Sequence, residues 1–126
     1  MHIIIGTPSG YTPKRSLHGT PKEKVKKGDY WLSAYDHAKK LIGSLRVEKY
    51  ENTFVIREVI VDPEYRGKGI GRLMMTDILQ LLKRNGLPIF LYVDPTNNVA
   101  IKLYTSLGFK LVKKGARFGD KYQLYT

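Results

Sequence analysis

Residues 59–75 join a β-branched run to a helix-period run through a loop with a glycine at every second position. The run Val59-Ile60-Val61 is typical of a strand, and the glycines follow it at positions 67, 69 and 71. Glycines let the backbone approach a ligand closely and aim successive N–H groups in one direction. Because a helix that starts there adds the positive end of its dipole, this stretch predicts a binding site for a phosphate-rich anion.

Three cations, Arg66, Lys68 and Arg72, lie among these glycines and favour the same prediction. The spacing departs from two common phosphate loops. A Walker loop needs Ser or Thr after Gly-Lys, and here Gly69 follows Lys68. A dinucleotide fingerprint needs a third glycine three residues after the second, and here Met74 occupies that place. The alternative without a ligand is a tight, basic strand-to-helix turn.

A different spacing does match. Arg66, Gly69 and Gly71 form the pattern Arg-x-x-Gly-x-Gly, which resembles the acyl-CoA motif of the GNAT superfamily of N-acetyltransferases. A second segment resembles the other CoA-side motif of that family at five positions: Asn97, Ala100, Tyr104, Gly108 and Phe109. The order and separation of the two segments are typical of the family.

The resemblance implies an α+β, GNAT-like fold in α/β/α layers, with a mixed, mostly antiparallel sheet and helices on its faces. The residue pattern predicts strands at 1–5, 30–35, 40–50, 54–61 and 88–93, and a last hairpin of residues 109–112 and 122–125. Apolar residues at helical spacing predict one helix that runs from Ile70 towards a Gly86 cap and another over residues 98–107. The strand at 88–93 follows a crossover helix, so it should lie parallel to the strand at 54–61.

All 126 residues are expected to form one domain. Residues 6–28 contain three prolines, many lysines and no helical apolar period, and we interpret them as a basic loop or arm. The family usually has two helices in this region that wall the acceptor site. We therefore expect a shortened N-terminal helical region.

The resemblance also implies which residues contact acetyl-CoA, the expected co-substrate. Its pyrophosphate is expected to contact Arg66, Gly67, Lys68, Gly69, Ile70, Gly71 and Arg72. The backbone of Ile60 and Val61 is expected to pair with pantetheine, because the parallel strands splay apart there. Asn97 has two compatible roles, as a helix cap and as an amide contact to pantetheine.

Two side chains are candidates for proton transfer. Tyr104 faces inward from its helix together with Ala100, and the resemblance implies that it protonates the departing CoA thiolate. The alternative role of Tyr104 is an ordinary core tyrosine. Glu58 is the candidate base for the acceptor amine, and its alternative role is an ion pair with a cross-strand lysine. By strand alternation, Arg57 should point to the opposite face.

Other bases are less favoured. His37 has a suitable intrinsic pKa but lies in a predicted turn, and Asp94 follows a strand and could act through water. No His, Asp or Glu cluster has metal-site spacing, so no metal is expected. The expected reaction is direct attack of a primary amine on the acetyl group, with backbone N–H near Val61 holding the oxyanion.

The net charge of +11 comes from 22 basic and 11 acidic residues. Such a charge attracts polyanionic partners, and the alternative is a solvated basic surface that only keeps the protein in solution. The acceptor is expected to be a protein or other macromolecule, including a nucleic-acid-associated amine. The alternative function is a non-catalytic CoA- or nucleic-acid-binding module. The sequence has no cysteine and no bilayer-length apolar run, so we expect a cytoplasmic protein, monomer or homodimer, without a membrane partner.

Overall fold

The computed structural model describes residues 2–6 and 29–124. Within these residues, seven strands form one sheet: β1 His2–Gly6, β2 Tyr30–Tyr35, β3 Leu41–Lys49, β4 Phe54–Val61, β5 Ile89–Val93, β6 Phe109–Ala116 and β7 Gly119–Leu124. Their order across the sheet is β1-β2-β3-β4-β5-β7-β6. Two α-helices, α1 (Ile70–Leu82) and α2 (Asn98–Ser106), follow β4 and β5. This arrangement confirms the mixed, mostly antiparallel sheet of an α+β fold.

The pairing of β4 with β5 is parallel, as the crossover helix predicts, and the other pairs between described strands are antiparallel. The parallel register starts at Phe54↔Ile89 and ends at Ile56↔Leu91. Beyond that point β4 continues to Val61 without β5 beside it. The two strands therefore open a gap in the middle of the sheet.

Helix α1 packs closely on β3 because Gly43 has no side chain. A Cβ built on Gly43 would lie 2.7 Å from the Met74 Sδ atom, and Met74 is fully buried. After α1 a short 3-10 turn, Lys83–Asn85, leads to Gly86, whose φ of 68° is left-handed. Gly86 thus ends the helical segment as its position predicts.

Helix α2 packs beside α1 on the same face of the sheet. The Tyr104 ring meets the Phe109 ring edge-on with centroids 6.1 Å apart. A Cβ on Gly71 of α1 would lie 3.4 Å from the Leu103 Cδ2 atom of α2. The buried cluster of the protein lies between these helices and that face, which we call the helix face.

The predicted strands at residues 30–35 and 54–61 match β2 and β4 to the residue. The last hairpin is longer than predicted, because β6 and β7 continue their pairing to Ala116↔Gly119 through two irregularities in register. The predicted basic arm lies outside the described residues apart from Gly6, which ends β1. Within the described ranges, no helix is long and apolar enough to cross a membrane.

Candidate active site

The loop between β4 and α1 holds an uncapped helix N-terminus. Gly69 is the N-cap residue of α1, and its φ of +82° is left-handed. The first bond of the helix runs from Leu73 N–H to the Gly69 carbonyl at 3.1 Å, so the N–H groups of residues 70–72 precede the ladder. No side chain of the described residues caps them, and the first turn contains no acid. This terminus can therefore bind an anion.

The same loop is fixed to the turn between β2 and β3 by a tyrosine. The Tyr65 hydroxyl donates to Asp36 Oδ2 at 2.6 Å, and this bond holds the pKa of the Asp36 carboxyl below its usual value. Lys40 adds ion pairs to Glu64 at 3.3 Å and to Asp62 at 3.7 Å. These contacts hold the glycine-containing loop in place before any ligand binds.

Each of the three predicted loop cations has a defined position. Arg66 Nε donates to the Val61 carbonyl at 3.0 Å, and Arg72 donates to Ser106 Oγ of α2 at 2.7 Å. The Lys68 ammonium lies 5.2 Å from the centre of the Tyr65 ring. All three cations lie within three residues of Gly69, the N-cap of α1, and their charged groups contact the end of β4, the Tyr65 ring and α2.

Beside this loop, a cleft of about 590 Å³ occupies the gap between β4 and β5. Its walls include Ile56, Leu91, Val93 and Tyr104 from the helix face. They also include Arg46, Glu48, Arg57, Tyr92 and Phe118. Arg46 and Arg57 are cross-strand partners, so they share a face, and that face is opposite the helices. The cleft thus passes between the two faces of the sheet.

A bulge in β4 places Glu58 in this cleft. The register moves from Ser44↔Ile60 to Arg46↔Arg57, so β4 advances by three residues while β3 advances by two, and β4 therefore contains one extra residue. Glu58 has a left-handed φ of 57° at this bulge. The expectation that Arg57 and Glu58 point to opposite faces was wrong, because the bulge breaks the strand alternation and the Glu58 carboxylate contacts Arg46, which shares its face with Arg57.

Glu58 belongs to a network of two arginines and two carboxylates. Arg46 contacts Glu58 at 3.4 Å and Glu48 at 3.2 Å, and Arg57 Nε donates to Glu48. Glu58 therefore forms its ion pair across the strands with an arginine, where the sequence alternative was a lysine. Burial acts to raise the pKa of Glu48, but the hydrogen bond and charge of Arg57 and the charge of Arg46 hold that pKa below its usual value.

Aromatic rings flank the Arg57 guanidinium at the mouth of the cleft. Its central carbon lies 5.5 Å from the Tyr92 ring centre and 4.9 Å from the Phe118 ring centre. The two rings meet edge-on at 6.0 Å. Arg57 is thus held by Glu48 on one side and by two rings on the other.

Tyr104 is buried against the core but reaches the cleft. Burial raises the pKa of Tyr104 to about 12, so its hydroxyl keeps its proton at neutral pH. Asn97 lies one turn before Ala100 and caps α2, since its side chain accepts from the Ala100 N–H at 3.2 Å. Its role as a cap is confirmed.

The less favoured bases lie in different places. His37 is exposed in the turn between β2 and β3 and does not line the cleft, whereas Asp94 does. Thr96 donates its hydroxyl and its N–H to Asp94 Oδ1 at 2.7 and 2.8 Å, and these bonds hold the pKa of Asp94 below its usual value. In the described part of the chain, no group of three or more His, Cys, Asp or Glu side chains could hold a metal.

Sequence reasoning missed Arg46, Tyr92 and Phe118, and it counted Glu48 only as a carboxylate near the acceptor site, without its arginine partners. One signal was available, because Arg46 and Glu48 alternate with Leu45 and Val47 in a strand whose other face is apolar. Such a pair of opposite charges on a buried strand indicates a polar site behind it. Tyr92 and Phe118 carried no signal, since only the fold brings the hairpin turn next to β5.

Comparison with known proteins agrees with this geometry. The model of the Acetyltransferase (GNAT) family matches residues 7–109. A mycothiol acetyltransferase of Thermobifida fusca is 34% identical over 93 residues, which are 73% of this chain and 27% of that protein. An uncharacterized N-acetyltransferase of Methanocaldococcus jannaschii is 41% identical over 63 residues, 48% of this chain and 28% of that protein.

Among solved structures, a PaiA N-acetyltransferase from Thermoplasma acidophilum in complex with coenzyme A has a similar fold. The TM-score is 0.69 at 24% identity, over 76% of this chain and 60% of that one. The chain thus spans about a quarter of the curated relatives' length and less than two thirds of that structure. The family model covers most of the sequence, and the chain belongs to the GNAT family of acetyltransferases.

Proposed function

We propose that this chain transfers an acetyl group from acetyl-CoA to a primary amine by direct attack. One observation supports this most strongly: the uncapped N-terminus of α1, which has three cations within three residues of its N-cap, follows the strand β4 that lines a cleft with both a protonated tyrosine and a carboxylate. A phosphate-binding end and a proton-transfer end are what a CoA-dependent transfer needs. We also propose that residues 1–126 act as one domain.

The loop fits the pyrophosphate of acetyl-CoA by charge and by space. A Cβ built on Gly67 or Gly69 meets no described atom within 4 Å, so the backbone there is open to a ligand. The N–H groups of residues 70–72 can donate to the phosphates, and Arg66, Lys68 and Arg72 can add charge-assisted bonds. These bonds would fix the phosphate end of the co-substrate.

The backbone of β4 supports pantetheine pairing at Val61 more than at Ile60. Asp62 N–H donates to the Ile42 carbonyl at 2.8 Å, and Ile60 pairs with Ser44 of β3. Backbone groups of successive strand residues point to opposite edges, so Val61 points towards the gap that β5 leaves. The Val61 carbonyl accepts from Arg66 but has a second lone pair. Asn97, on the wall of the cleft, can add an amide contact.

In the proposed reaction Glu58 takes a proton from the acceptor ammonium, and the amine then attacks the acetyl carbonyl. A C–N bond forms, the C–S bond breaks, and the Tyr104 hydroxyl gives its proton to the sulfur. The nitrogen releases its second proton to water, and water returns a proton to the Tyr104 oxygen, so the products are a neutral amide and the free thiol. Backbone N–H at the bulge near Val61 would hold the oxyanion. A thiol of pKa about 8.5 leaves readily, so Tyr104 needs to supply only modest help.

The acceptor we propose is an amine on a protein or other macromolecule. A small polycation would need free carboxylates, but Glu48 is bound by two arginines and Glu58 contacts Arg46. The similarity to mycothiol acetyltransferases suggests a small amine acceptor as the competing possibility. A monomer and a homodimer both fit the proposal, and a cytoplasmic location stays a prediction from the cysteine-free sequence.

The test combines calorimetric titration of acetyl-CoA with an acceptor screen that detects free thiol. Micromolar binding together with thiol release that depends on a peptide amine, a protein amine or a small amine would support the proposal. Acetyl-enzyme that accumulates without acceptor would contradict direct attack. Binding without turnover on any amine would leave a non-catalytic CoA-binding module as the function.

A further inference from the structure

The sheet face opposite the helices presents aromatic and basic side chains across β5, β7 and β6. Cross-strand partners share a face, so one row consists of Phe90, Gln123 and Lys110. The next row consists of Tyr92, Lys121 and Lys113. We call these two rows the cationic face. It adjoins the mouth of the cleft, because Tyr92 belongs to both.

Cations lie over the aromatic rings of this face and of the adjoining hairpin turn. The Lys121 ammonium is 4.1 Å from the centre of the Phe90 ring, and the Arg117 guanidinium carbon is 5.4 Å from the centre of the Phe118 ring. Phe118 is 57% exposed, which is unusual for so large an apolar side chain. The rings are therefore displayed at the surface together with positive charge.

Negative charge is nearly missing from this part of the sequence. Residues 89–126, which contain β5, β6 and β7, include six basic residues and only two acids, Asp94 at the end of β5 and Asp120. Asp120 pairs with Val93 on the helix face, is 8% exposed and accepts from the Gly115 N–H at 2.9 Å. It does not neutralise the lysines across the sheet. The cationic face is thus complementary to a polyanion.

We propose that the cationic face binds single-stranded nucleic acid. Lysines on neighbouring strands, which lie about 4.8 Å apart, can contact successive phosphates. Tyr92 and Phe118 offer rings on which unpaired bases stack, whereas paired bases in a duplex are not free to stack on them. An acidic protein segment would use the charges but not the rings. If the proposed acetyl transfer is correct, a bound strand runs directly to the cleft and presents its own amine or that of a molecule attached to it.

The test measures fluorescence anisotropy of a labelled oligonucleotide of about 12 nucleotides, a length within the usual site sizes. The full chain is titrated at several salt concentrations with saturating coenzyme A present, so that the α1 loop is blocked. The double variant Lys110→Gln/Lys113→Gln removes two exposed charges from the face. The matched control Lys83→Gln/Arg84→Gln removes two exposed charges from the turn after α1, in the helix layer.

We expect the parent to bind with an affinity that falls steeply as salt rises. The Lys110→Gln/Lys113→Gln variant should lower the slope of log K against log salt by about 1.4, since each lost phosphate contact counts about 0.7. The control should stay within about twofold of the parent. Phe118→Ala should weaken binding about tenfold at unchanged salt slope, because stacking rather than charge is lost.

Three results would overturn the proposal: no binding by the parent, equal losses in both double variants, or equal binding to polyglutamate, which would assign the face to acidic proteins. Acetyl-CoA titration of the same preparation keeps this test separate from the proposed function. Oligonucleotide binding without acetyl-CoA binding would contradict only the transferase proposal. Acetyl-CoA binding without oligonucleotide binding would contradict only the proposal that the cationic face binds nucleic acid.

Discussion

The substitution Gly69→Asp tests whether the N-terminus of α1 binds the phosphates of acetyl-CoA. Gly69 has a φ of +82°, and a Cβ built there meets no described atom within 4 Å. The structural cost is therefore the left-handed backbone of a residue with a side chain, about 1 kcal/mol. For a chain of this size, that cost lowers Tm by about 4 °C. The protein should stay folded.

The expected loss of binding follows from charge. A carboxylate at position 69 would compete for the N–H groups of residues 70–72 and repel the pyrophosphate. Two like charges about 5 Å apart interact by about 3 kcal/mol at an effective dielectric constant of about 20, which is roughly a hundredfold in Kd. Because the loop is exposed to water and salt, we expect a loss between about tenfold and a hundredfold.

Gly86→Asp is the matched control. Gly86 also has a left-handed φ, +68°, with no described atom within 4 Å of its Cβ position, and it lies at the other end of the α1 segment. An acid there faces the negative end of the helix dipole, so this variant should lose at least as much stability. Calorimetric titration of acetyl-CoA and thermal unfolding are measured on the parent and both variants. Binding by Gly69→Asp within threefold of the parent, or an equal loss in the control, would refute the reasoning.

Three further predictions concern the cleft. Tyr104→Phe should lower kcat about 10- to 100-fold with little change in KM for acetyl-CoA or in Tm, and an unchanged kcat would remove its proposed role as proton donor. Glu58→Gln should lower kcat/KM about a hundredfold at pH 7. This loss should shrink near pH 10, because the acceptor amine deprotonates in solution there and no longer needs the base. A loss that does not change with pH would instead indicate a structural role for Glu58. The lowered pKa of Glu48 means that its carboxylate stabilises the fold above its ordinary pKa of 4.5, and this stability is lost as pH falls through the folded value. In denaturant titrations, Glu48→Gln should therefore have a lower free energy of unfolding than the parent at pH 7, and that free energy should fall less steeply between about pH 5 and 3. Parallel plots of unfolding free energy against pH for the two proteins would contradict the ion-pair network.

Much of the geometry of the proposed phosphate-binding loop could be predicted because it is local in sequence. The strand, the glycines, the cations and the helix of residues 59–75 are consecutive, and each acts on its own neighbours. Asn97 capped α2 as predicted, and Gly86 ended the α1 segment. The roles of Tyr104, Glu58 and Val61 in transfer stay predictions, which the structure supports by placing all three around one gap in the sheet.

The sequence by itself determined the elements whose signals lie within one turn or one strand: β2, β4, α1 and α2, and the uncapped, glycine-containing loop between β4 and α1 that we propose as the anion site. Only the tertiary structure decided the acceptor side of the cleft. The bulge at Glu58 depends on how β4 pairs with β3, and it reversed the expected direction of that side chain relative to Arg57. The Phe118 ring contacts the Tyr92 ring only because β7 pairs with β5. Burial of Tyr104 against Phe109 keeps its proton in place. The physical reason is common to all three: register, pairing and burial depend on contacts between residues distant along the chain, and those contacts form only when the chain folds.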